Sequence, residues 1–90
     1  MRSYLVECYE PGVQVAAVAE AAARSRSAAS ALRAEGRDIE YIQAVLVPED
    51  EVIFHLFRAV DADAVQQASE RAHVAFDRIV ETISLKAATG

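Results

Sequence analysis

The side chain in this chain best placed to do chemistry is an imidazole set in an apolar run. His55 interrupts Val52-Ile53-Phe54-His55-Leu56-Phe57, and a histidine there must either satisfy its polar atoms or use them. A second apolar run, Ser3 to Tyr9, carries Glu7. A carboxylate beside an imidazole orients it as a general acid/base, raises its pKa, or completes a mixed oxygen/nitrogen metal site. Strand alternation separates Glu7 from Cys8, and His55 from Phe54 and Leu56. If Phe54 and Leu56 turn toward the helices, Glu7 and His55 share the opposite face. His73, in the segment RAHVAFDR, reads in two ways. It is a helix-terminal histidine interacting with the dipole, or a second imidazole at the rim of the same pocket and a metal ligand.

Other polar groups have plainer readings. Cys8 is expected to face the helices as a small apolar residue. Glu49-Asp50-Glu51 lacks the spaced oxygen ligands of a calcium loop and reads as a solvated turn. Asp77-Arg78 reads as an ion pair at the entrance to a strand. No HxxxH or CxxC spacing marks a closed metal site, and no GxGxxG, GxxxxGK[ST] or GxSxG motif marks a phosphate cradle or a serine nucleophile.

The elements that must position these groups follow from periodicity. Ser3 to Tyr9 is a strand closed by Pro11-Gly12. Val13 to Ala34 carries apolar residues at spacings of three, four and seven, and Gly36 ends that helix. Ile39 to Val47 and Val52 to Ala59 form a hairpin about Pro48 to Glu51. Asp61 caps a second helix that ends near His73, and Arg78 to Leu85 is a fourth strand. The order βαββαβ predicts an α+β, ferredoxin-like domain over residues 1–85, with a four-stranded antiparallel sheet and both helices on one face. Residues 86–90 read as a flexible tail. Both faces of the third strand are apolar, so the face without helices is expected to pair with a second protomer, giving a homodimer of the dimeric α+β barrel kind.

Composition narrows the partners. A formal net charge of −5 in 90 residues opposes a phosphate-binding surface, so nucleic acid is not expected. Hydrophobic residues make up 53% of the chain, with a mean hydropathy of +0.12, which is high for a small domain and adds to the case for a covering partner. No apolar run has the length of a membrane span or a secretory signal. With one cysteine there is no intrachain disulfide, and the chain reads as cytoplasmic.

The segments YLVECYEPG, ALRAEGRDIEYIQAVLVPEDE, FHLFRA and ERAHVAFDRIVE, taken together, resemble a family of small bacterial, actinobacterial-type proteins long catalogued as of unknown function. Its characterised representative is a nickel-binding protein. Glu7, Pro48 to Glu51, Asp77, Arg78 and Ile79 fit the family pattern, and the chain departs from it at Cys8, His55 and His73-Val74-Ala75. The resemblance implies a ferredoxin-like dimer and makes nickel or another divalent transition metal the leading ligand.

Three functions are therefore expected in turn. The first is a dimeric divalent-metal binding protein with His55, Glu7 and His73 as ligands. The second is a cofactor-free enzyme of the cyclase, isomerase or monooxygenase type, with His55 as general acid/base oriented by Glu7 and a small-molecule substrate. The third is a non-catalytic interaction module. An enclosed pocket of at least about 300 Å³ reaching His55 would favour the enzyme.

Overall fold

The computed structural model describes residues 1–85; the tail expected at 86–90 lies outside the described residues. Six elements follow in the order β1 (Arg2–Tyr9), α1 (Val15–Ala34), β2 (Ile39–Val47), β3 (Val52–Ala59), α2 (Ala62–Arg71) and β4 (Arg78–Thr82). The sheet is antiparallel throughout, with strand order β2-β3-β1-β4. This is the ferredoxin-like arrangement. Among the described residues no helix is long and apolar enough to cross a membrane.

The hairpin strands begin and end where alternation and the Pro48 turn place them. β4 stops at Thr82, three residues short of the expected Leu85, and α1 begins at Val15 rather than Val13. Both helices end in the same hydrogen-bonded closure, in which the second residue past the cap bonds back five residues. In α1, Arg37 N–H donates to the Leu32 carbonyl at 3.0 Å and Gly36 N–H to the Arg33 carbonyl at 3.0 Å. In α2, Val74 N–H donates to the Ser69 carbonyl at 2.9 Å and His73 N–H to the Glu70 carbonyl at 3.1 Å. Such a closure needs a left-handed residue just past the cap. Gly36 supplies it in α1 with φ of 95°, but His73 supplies it in α2 with φ of 56°.

The core lies between the helices and one sheet face. Tyr4, Val6 and Cys8 of β1, Ile53 and Phe57 of β3, and Ile39 and Tyr41 of β2 meet Leu32 of α1 and Val65 of α2. Burying these side chains, at roughly 1.5–3 kcal/mol for each large aliphatic or aromatic one, drives the layers together. Asp61 begins α2 as expected, its Oδ1 accepting the Ala64 N–H at 2.9 Å. Arg37 ties that helix start to the end of α1 through Asp61 and Asp63 at 3.3 and 3.4 Å.

Candidate functional site

Register decides where the chemistry goes. In antiparallel β1 and β3, Val6 stands opposite His55 and Glu7 opposite Phe54, and directly opposed residues share a face. His55 therefore lies on the helix-covered face with Val6 and is only 1% exposed. Glu7 lies on the other face with Phe54. The expected Glu7/His55 pairing is corrected by this register: it is Phe54 and Leu56 that turn away from the helices. Glu7 instead accepts from Arg78 of β4, with Arg78 Nε 2.6 Å from Glu7 Oε2. Asp77 does not pair with Arg78 but receives the Tyr9 N–H at 2.6 Å, while its own N–H donates to the Glu7 carbonyl at 2.8 Å. Together these bonds lock the end of β1 to the start of β4.

The partner His55 does have is Tyr41. Tyr41 Oη lies 2.8 Å from His55 Nδ1, and the two rings stand 5.8 Å apart, tilted by 48°. The second ring nitrogen has no hydrogen-bond partner among the described residues. Burial, with the Arg24 charge adding to it, lowers the His55 pKa below its ordinary value and keeps the ring neutral. Burial also pushes the Tyr41 phenol up to about 12, against a smaller downward pull from Arg26. The pair is thus a neutral hydrogen bond between a phenol and an imidazole.

Three residues far apart in sequence meet beside it. A cavity of about 120 Å³ is lined by Cys8, His55 and His73, with Glu10, Arg24 and Val74 among its other walls. Both histidines and the single cysteine of the chain border this one space. Cys8 arrives as expected on the helix face of β1, and burial, helped by the charges of Asp77, Glu10 and Glu7, raises its thiol to about 11. His73 arrives because the chain turns left-handed past α2, not because it belongs to the last helical turn: α2 ends at Arg71. A side chain at such a position carries a conformational cost that glycine avoids. Arg24 is fixed at the wall by its Nε donating to the Ala72 carbonyl at 2.8 Å.

Chemically, two imidazoles and a thiol are the donor set that borderline divalent ions such as nickel and zinc prefer. The donor types fit a metal. Among the described residues, however, no three His, Cys, Asp or Glu side chains stand close enough to hold an ion as they are. Loading the cavity requires the side chains to converge and the Cys8 proton to leave if sulfur binds. The space itself is small, equal to only about four waters at roughly 30 Å³ each. It has room for an ion with its solvent but little for an organic substrate. The sequence places Cys8 on this face as a small apolar residue rather than as a donor, and it carries no sign that Tyr41 is the partner of His55. Once His55 is placed on the helix face, the same alternation puts Val6 and Cys8 beside it.

The model of a family described as nickel responsive protein SCO4226-like matches residues 4–82. The crystal structure of SCO4226 from Streptomyces coelicolor A3(2) superposes with a TM-score of 0.70 at 24% identity, covering 94% of this chain and 99% of that one. At that identity the likeness speaks for the fold. No curated protein matches the chain.

Proposed function

The chain belongs to the SCO4226-like family of nickel responsive proteins, and we propose that it binds a divalent transition ion, nickel first, in the cavity bordered by Cys8, His55 and His73. At these three positions it departs from the family pattern, so that the family suggests the ion and the cavity of this chain suggests the ligands. One observation carries the reading: the only two histidines and the only cysteine of the chain, drawn from β1, β3 and the turn after α2, border the same space. His55 and His73 are the nitrogen ligands, and Cys8 is the sulfur beside them. Tyr41 holds His55 from behind, as an outer partner that fixes ring orientation. Glu7, on the far side of the sheet, is replaced in the ligand set by the buried Cys8 and His55 together with the exposed His73 at the cavity's rim.

The protein acts as a homodimer in this proposal. Leu5, Phe54, Leu56 and Val80 lie on the sheet face that carries no helix. Their apolar surface favours a second copy. The reading as a cofactor-free enzyme has less support, because the cavity at His55 is about 120 Å³, well below the roughly 300 Å³ of ordinary small-molecule sites.

Calorimetric titration with Ni(II) and Zn(II) tests the proposal. Stoichiometric binding is expected in the wild type, lost in His55→Ala and weakened in His73→Ala, with circular dichroism showing each variant folded. Failure of the folded wild type to bind at micromolar metal would overturn it.

A further inference from the structure

A second, larger hollow lies on the other side of Tyr41. We propose that the groove between α1 and β2 binds a small organic acid, its apolar body along Val18, Ala22 and Leu46 and its carboxylate at Arg26. The groove is open to solvent along one side and measures about 380 Å³, inside the roughly 300–1,000 Å³ range of small-molecule sites. Its walls are apolar apart from Arg26, Gln43 and the Tyr41 ring, which is the pattern of an apolar pocket with a few orienting polar groups.

Charge assigns the class of ligand. In this acidic chain Arg2, Arg37, Arg71 and Arg78 each hold a carboxylate. Arg26, like Arg24, Arg33 and Arg58, pairs with no carboxylate among the described residues, and it alone of these lines the groove, as its one charged wall. Its guanidinium stands over the Tyr41 ring, 5.7 Å from the centroid, a stacking that leaves the edge N–H donors free. A planar cation held at the mouth of an apolar groove is complementary to a carboxylate on an apolar chain or ring. The groove is also distinct from the metal cavity, since Tyr41 stands between them and presents its ring to one and its hydroxyl to His55.

The test titrates the metal-free protein with octanoate, octanol and octylamine, following backbone amide shifts. Octanoate is expected to saturate with shifts confined to α1 and β2, and octanol to bind about tenfold more weakly for want of the charge-assisted bond. Octylamine is expected to bind weakest. Arg26→Gln should lower octanoate affinity about tenfold while sparing octanol. Ala22→Leu, at a half-buried position, should fill the groove and abolish both. Equal affinity for octanoate and octanol, a silent Arg26→Gln, or shifts spread over the sheet face without helices would each overturn the assignment. So would failure of octanoate to bind combined with a change of oligomeric mass in Ala22→Leu, which identifies a second copy as the occupant. Because the metal-free protein is titrated, failure here leaves the metal reading to its own experiment.

Discussion

Tyr41 holds His55 across the β2–β3 ladder, with the phenol oxygen 2.8 Å from Nδ1, and this bond fixes which imidazole nitrogen remains for other work. When Nδ1–H donates to the phenol oxygen, the second nitrogen carries a lone pair toward the cavity; when the phenol donates, that nitrogen carries the proton. Metal binding requires the first arrangement. Tyr41→Phe is therefore expected to reduce nickel affinity about 10–100-fold, at a stability cost of about 1 kcal/mol for the lost hydrogen bond. Calorimetry and thermal denaturation on the same samples separate the two effects. Unchanged nickel affinity would remove Tyr41 from the site.

His55 also gives the fold a pH dependence of definite sign. Its folded pKa lies below the ordinary value, mainly through burial, so in the interval between the two values the unfolded chain binds more protons. Stability is then fully present above the unfolded pKa of about 6.5 and falls as pH drops through that value toward the folded one. The slope from this one group is at most about 1.4 kcal/mol per pH unit. Urea denaturation at a series of pH values should show this loss in the wild type and not in His55→Phe, whose remaining acid sensitivity begins lower, where carboxylates titrate. An identical profile in the variant would show that folding leaves the ring's pKa unchanged and that burial does not disfavour its charged form.

How far the sequence carried the fold depends on whether its pattern had one reading. β2 and β3 fall where alternation and Pro48 put them, and Asp61 and Gly36 mark the start of α2 and the end of α1 as capping chemistry requires. The face of His55 was not legible, for a specific reason. Ile53 and Phe57 on one side of β3 are as large and apolar as Phe54 and Leu56 on the other, so alternation says who shares a face with whom but not which face is covered. Only the pairing of Val6 with His55 resolves it, and pairing is a long-range property. The cavity was hidden for a similar reason: its three donors stand 47 and 18 residues apart along the chain, and no local spacing connects them.

Cys8 should behave as a closed thiol until metal or unfolding opens it. It is 4% exposed and its pKa is pushed from 9.0 up to about 11, first by burial and then by Asp77, Glu10 and Glu7. Two units fewer of ionisation leave about 100-fold less thiolate near pH 8, before any effect of access. Iodoacetamide labelling followed by mass spectrometry should therefore be at least about 100-fold slower than in the urea-unfolded chain. With nickel added, sulfur ligation would appear as a thiolate-to-metal absorption band lost in Cys8→Ser. Rapid labelling of the folded protein would show that the β1 end is open to solvent.

His73 separates stability from function most cleanly, because the two demand opposite residues at its position. The turn after α2 is closed by bonds that match those after α1, where Gly36 stands at the equivalent place. A non-glycine side chain held at φ of 56° costs about 1 kcal/mol relative to glycine. On packing grounds alone His73→Gly is thus expected to raise stability by about 1 kcal/mol in metal-free protein. If His73 is a ligand, the same substitution weakens nickel binding by about tenfold or more, so the stabilising effect of added nickel shrinks in the variant. Thermal denaturation with and without nickel reads both quantities. A variant that melts higher and responds to nickel like the wild type would leave His73 as a strained turn residue and the nitrogen ligation to His55 alone.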